Sequence, residues 1–248
     1  MVYLYCITDA RTKDLDNIDR VKARIIEYDS VSVVAAETGD FRPESPNNIM
    51  THYKINDQIL RNGFTVLPFA YGTIVSVDDV SSFVNGNIAD IKQKIIEFRG
   101  KIEIGVKILV LIEKGQNKEL IKLLSDTPGH RYLSQCLLKH APFLAGRETV
   151  DALQRDFNKY LGPHYVRSKT KIHNRKNVLI SNAFLVENSS LDCFLKAFEE
   201  LKAMYPKCGF LVSGPWPAYN FINLRGYTPV GEVDSCGESY PGRGQWSV

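Results

Sequence analysis

The sequence predicts an α+β protein with two separate β-containing cores and a helical stretch between them. Three observations carry this. Strand-like runs open and close the first ~112 residues, with two helical patterns inside them. A purely helical pattern then occupies roughly the next 50 residues. A compact strand–helix–strand pattern returns after residue 176. The chain has 248 residues, room for one large domain or two small ones.

The first strand is "VYLYCIT", Val2 to Thr8, apolar, aromatic and β-branched throughout. "ARIIEYD" and "VSVVAAE" follow around Asp29 and Ser30 and read as a hairpin. Ser45-Pro46 gives an N-cap and a proline at the first helical position. That helix is expected to turn Ile49, Tyr53 and Leu60 to one face. "TVLPFAYGTIV" is extended, and Pro68 places it at an edge or a bulge. Asp78 or Asp79 is the expected cap of a second helix. Its apolar positions Val80, Phe83, Val84, Ile88, Ile91, Ile95 and Phe98 recur at three and four, with Gly86 as a weak point. "EIGVKILVLI" closes this part as a long strand, giving a mixed sheet with helices on one face.

Helices are expected over 117–125, from Thr127-Pro128 toward His140, and again from Glu148 until Gly162-Pro163 stops the pattern. "RSKTKIHNRK", Arg167 to Lys176, is basic without an acidic residue and reads as an exposed loop. "NVLISNAFLV" is a strand. Ser189 is the expected cap of a helix bearing Leu191, Phe194, Leu195, Phe198, Leu201 and Met204, Pro206 ends it, and "CGFLVSG" is a strand. The tail from Gly226 is rich in Gly, Pro and Ser. The domain reading is 1–115, a helical connector 116–165, a second domain 166–225 and a tail 226–248.

Lys plus Arg number 31 and Asp plus Glu 28, a net charge of +3, too small for overall charge to imply nucleic acid or an acidic membrane. No secretory signal opens the chain, and no apolar run nears the ~20 residues of a membrane span. The five cysteines, Cys6, Cys136, Cys193, Cys208 and Cys236, form no CxxC pair and read as free thiols of a reducing cytoplasm. His130, Cys136 and His140 are the best metal candidates, but they lack further ligands at diagnostic spacing. No GxSxG, GxxxxGK[ST], HExxH or GxGxxG is present. Absent motifs do not exclude an enzyme, but they leave no residue to carry catalysis, and no metal or cofactor is expected.

Two readings of function are open on the residues alone. "SGPWPAYNF", Ser213 to Phe221, is stiffened by Pro215 and Pro217, with Gly214 ending a strand. Trp216, Tyr219 and Phe221 then serve either as a structural latch or as a rigid aromatic platform for a partner. The rival is a nucleic-acid-binding regulator that uses 167–176, with "KCGFLV" (Lys207 to Val212) faintly echoing the aromatic strand of an RNA-recognition sheet.

The same stretch resembles the GPWPPYSF signature of the gas vesicle proteins GvpF and GvpL. "VYLYCI" looks like that family's opening strand, and "HYKIND" from His52 like its histidine-led helical segment. "VLPFAYGT", Val66 to Thr73, is similar to its VLPxRFGT motif, and "PGHRYL", Pro128 to Leu133, to its PGxxYL. "NAFLVENSSLDCFLKAFEEL" corresponds to the strand–helix unit before the signature. Ala218, Asn220 and Ala70 depart from the proline, serine and arginine common there. The resemblance implies two α+β domains, the second ferredoxin-like. It further implies a non-enzymatic protein of gas vesicle assembly, cytoplasmic and then on the vesicle. The implied partners are the small hydrophobic shell protein and other vesicle accessory proteins, with no nucleic acid and no lipid membrane. Phe69 and Tyr71 join Pro215, Trp216, Pro217, Tyr219 and Phe221 as expected contact or latch residues.

Overall fold

The computed structural model describes residues 1–15, 23–39, 46–110, 150–174 and 178–222. The expected helices over 117–125 and 127–140, the metal candidates His130, Cys136 and His140, the PGHRYL motif and the tail from 226 lie outside them. The chain forms two compact units. One is Met1–Glu103 with the chain from Pro215, and the other is Ile104–Gly214. The sequence reading places its boundaries at 115 and 165, where the helical pattern begins and ends, and keeps Pro215 to Phe221 with the second part. The two compact units divide inside two long strands, where periodicity carries no boundary signal.

The first unit is built around β1 (Val2–Thr8), with β2 (Arg24–Glu27), β3 (Ser32–Glu37), β4 (Val66–Pro68) and β5 (Ile74–Val75). The strand order is β2-β3-β1-β4, and β5 also pairs with β1. β2 and β3 form the expected hairpin. Pro68 sits on the edge strand β4, where its missing N–H costs no ladder bond. Every residue of β1 is buried, so the strand is covered on both faces rather than one. Its register against β3 shifts between Leu4 and Cys6. Such an irregularity resets the side-chain alternation, and Tyr3, Tyr5 and Cys6 accordingly share one core cluster with Ile55 and Ile59.

Among the described residues, two α-helices complete this unit, α1 (Pro46–Arg61) and α2 (Val77–Phe98). The cap of α2 is Ser76, not Asp78 or Asp79. Its Oγ accepts from the Asp79 N–H at 3.0 Å and donates to Asp79 Oδ2 at 2.7 Å. Asp79 is thus the residue that the cap bonds through both its N–H and its carboxylate, not the cap itself. Val80, Phe83, Val84, Ile91, Ile95 and Phe98 are buried as their spacing predicts, and the helix runs unbroken through Gly86.

The second unit holds a sheet of order β7-β8-β6-β9, from β6 (Lys101–Val110), β7 (Arg167–Asn174), β8 (Val178–Glu187) and β9 (Cys208–Trp216). Arg167–Asn174 is therefore a strand, not a loop. Its pairing with β8 runs through eight residue pairs, and backbone bonding outweighs the modest strand preference of its lysines. A helical segment from 150 ends in a wider turn, Phe157–Leu161, and a tight one, Gly162–His164. The cap position of helix α3 (Leu191–Met204) is Ser190 rather than Ser189, because a tight turn takes up Asn188–Ser190 first, and the Ser190 side chain makes no cap bond. The core is aromatic: Phe184 meets Phe157 at 5.9 Å and Phe194 at 5.3 Å, and Phe198 meets Phe210 at 5.8 Å. β9 continues to Trp216, past Gly214, where the strand was expected to end; Gly214 takes φ 119°, open to glycine without strain.

Candidate functional site

Four of the motifs singled out in the sequence meet in the first unit. α1 turns His52, Ile55, Asn56 and Ile59 inward, all buried. Of the expected inward face, Leu60 is half-buried and packs against the core cluster, Tyr53 is half-buried, and Ile49 is 49% exposed. Two polar residues, four apart, hold the place that hydrophobicity assigns to apolar ones.

His52 explains why. Its Nδ1 lies 2.5 Å from Tyr3 Oη, and its Nε2 lies 3.1 Å from Asn56 Nδ2. The rings of Tyr3, Tyr5 and Tyr71 surround it, each at 5.6 to 5.7 Å. Burial pushes the imidazole down to about 4, against a smaller opposing pull from a hydrogen bond to the Phe69 backbone. The ring is neutral at pH 7 and accepts at Nε2 from the Asn56 amide. Tyr71 is held by a turn in which the Thr73 N–H donates to the Ala70 carbonyl and Gly72 takes φ 90°. Burial likewise raises the Tyr3 phenol and the Cys6 thiol, which leaves Cys6 inert packing.

The stretch from Pro215 closes onto this cluster. Asn56 Nδ2 donates to Tyr219 Oη at 3.0 Å, and burial pushes that phenol up to about 12. Pro217, Ala218 and Phe221 are buried. The Phe221 and Ile222 N–H groups both donate to the Ala218 carbonyl, so the chain turns tightly here. Glu103 is buried at 4% exposure and accepts twice from Asn220, from its N–H at 2.8 Å and its Nδ2 at 2.6 Å. A buried carboxylate needs such donors. Replacing Asn220 by Ala removes the charge-assisted side-chain bond and keeps the backbone one. The expected loss is about 1 to 3 kcal/mol in urea unfolding.

Of the expected contact residues, Phe69 is fully buried against Phe83 at 6.5 Å, and Phe221 is 7% exposed. Trp216, Pro215, Tyr219 and Tyr71 are half-buried. Trp216 stacks edge-on against Tyr53 at 5.0 Å. Ile49 and Met50, each 49% exposed, lie four and three residues before Tyr53 on α1, so they share its side of the helix. Sequence reading missed His52, Asn56, Tyr53 and Glu103 as site residues. The available signal was HYKIND itself, a histidine and an asparagine at i and i+4.

The RNA-recognition echo does not survive the geometry. Phe210 points to the helix-covered side, against Phe198. The other side of β9 carries Gly209, Leu211 and Ser213, which offer no ring for a base to stack on. Among the described residues, no group of three or more His, Cys, Asp or Glu could hold a metal ion, and no helix is long and apolar enough to cross a membrane.

Two α+β units, with shared motifs spent on locking a late segment of the chain onto its first strand and first helix, define a mixed α/β scaffold built around an aromatic latch. The chain belongs to the GvpL/GvpF family of gas vesicle synthesis proteins, whose family model matches residues 1–223. It is 21% identical over 231 residues to gas vesicle protein F1 of Halobacterium salinarum, covering 90% of this chain and 93% of that one. Gas vesicle protein F2 of the same organism is 22% identical, with 90% and 92% covered. Its fold is similar to the crystal structure of GvpF from Anabaena sp. PCC7120, with a TM-score of 0.71 at 17% identity, covering 90% of this chain and 96% of that one. GvpF from Microcystis aeruginosa gives 0.67 at 14% identity, with 90% and 99% covered.

Proposed function

We propose that this protein is a non-enzymatic gas vesicle assembly factor or minor structural component that binds the small hydrophobic shell protein. It works in the cytoplasm and then at the vesicle. The observation that carries the reading is the apolar patch of Ile49, Met50, Tyr53 and Trp216, set on a helix whose inward face is fixed by His52 and Asn56. A shell protein exposes apolar surface before it polymerises, and such surface aggregates unless covered. Phe69 and Phe221 are buried and serve as core packing rather than as contact residues. Other vesicle accessory proteins are further partners of the same kind. The strand order β7-β8-β6-β9, with α3 between β8 and β9, supports a ferredoxin-like reading of the second unit. In that reading, residues 116–165 are its helical connector and 226–248 a tail.

The test is co-purification of the tagged chain with co-expressed shell protein at low and high salt. Apolar burial is weakly salt-sensitive, so retention at both is the expected result. Loss at high salt alone points to a charge-driven contact, and no retention at either sinks direct binding.

A further inference from the structure

The two outer strands of the second sheet differ in charge. β7 carries Arg167, Lys169 and Lys171, residues of the kind that keep a sheet edge from pairing. β9 carries no charged residue, and among the described residues no further strand pairs with its outer edge. Exposure alternates along it. Cys208, Phe210 and Val212 are half-buried, with Phe210 against Phe198, while Gly209, Leu211 and Ser213 are exposed. A glycine has only main chain to expose, so at Gly209 the backbone itself meets solvent. Leu211 is 61% exposed, and Leu109, whose Cβ would sit 3.6 Å from one placed on Gly209, borders the same face. Gly214 at φ 119° and Pro215, which has no N–H to give, end the regular edge at Ser213. An exposed apolar edge without charge is a ready site for another strand.

We propose that β9 pairs antiparallel with β9 of a second copy of this chain, about a two-fold axis at Leu211. A two-fold axis can relate two such strands only if opposed residues point to the same face, so odd positions meet odd and even meet even. With the axis at Leu211, Leu211 opposes its own equivalent, Phe210 opposes Val212 twice, and Gly209 opposes Ser213 twice. Every opposed pair is apolar or small, and no charge meets a like charge. An axis at Phe210 sets Leu211 opposite Gly209, and one at Val212 sets it opposite Ser213, so only the Leu211 axis pairs the leucines. The edge has no charge with which to select a foreign strand, whereas a second copy brings the matching set. Six residues from each copy make a small interface, so the dimer is weak and reversible.

The experiment is sedimentation equilibrium of the full chain, which is expected to show a monomer–dimer equilibrium with Kd on the order of 10–100 μM. Leu211→Lys sets two like charges directly opposite each other and is expected to raise Kd at least about tenfold, as is Leu211→Glu. Both keep the urea midpoint of the natural chain, because the side chain is exposed. An equimolar mixture of the two variants is expected to recover the dimer, since the axis places position 211 of one opposite position 211 of the other. Leu211→Thr, which keeps the strand preference and adds no charge, is expected to raise Kd a few-fold and serves if a charged variant fails to fold. A chain that stays monomeric at about 1 mM, far above the expected Kd, overturns the proposal. So does a dimer that neither charge weakens, or a mixture that dimerises no better than each variant alone. If Leu211→Lys leaves the dimer intact but releases co-expressed shell protein, the edge belongs to that partner and the proposal fails.

Discussion

Acidification from pH 6.5 to 4 is expected to remove about 3 kcal/mol of stability through His52 alone. The folded imidazole titrates near 4, pushed down by burial, while in the unfolded chain it titrates near 6.5. Between those values the unfolded state binds the extra proton. Stability is therefore full above pH 6.5 and falls as pH drops toward 4, where this group's contribution ends. Protonation also sets a second ring N–H against the Asn56 amide, which itself donates to Tyr219. The check is the urea midpoint from pH 7 to 4 for the natural chain and for His52→Gln. The variant is less stable throughout, but its slope across the window is expected to be nearly flat. An unchanged slope means His52 is not the group that titrates.

The second large effect separates two neighbours. Phe221→Ala is expected to cost about 3 to 5 kcal/mol, because the ring is nearly buried and leaves a cavity under a tight turn. Trp216→Ala is expected to cost about 1 to 2 kcal/mol, since its ring is half-exposed and rests chiefly on Tyr53. Thermal unfolding of the two variants gives the order directly. We propose that the aromatic stretch divides between the two readings, with Phe221 and Tyr219 as latch and Trp216 on the contact surface.

That division was not legible in the residues. The strands and the core of α2 were, because their apolar spacing is dense and few alternatives bury it as well. The hairpin was legible from turn chemistry around Asp29. The inward face of α1 was not, since His52 and Asn56 are polar and their burial depends on Tyr3 and Tyr219, 49 and 163 residues away in sequence. Long-range hydrogen bonds leave no periodicity. Arg167–Asn174 reads as a loop for a related reason: its side chains over 167–172 are exposed on both sides and show no alternation. The caps of α2 and α3 slipped because several Ser and Asp residues compete within one turn, and only backbone geometry chooses among them.

The central claim is that α1 and Trp216 form the surface that meets the shell protein. Met50 tests it most directly, being half-exposed on that surface and outside the latch. In co-expression with the shell protein, tagged chain carrying Met50→Glu is expected to fold with an unchanged urea midpoint and to retain little shell protein at either salt. Retention equal to that of the natural chain would contradict the claim.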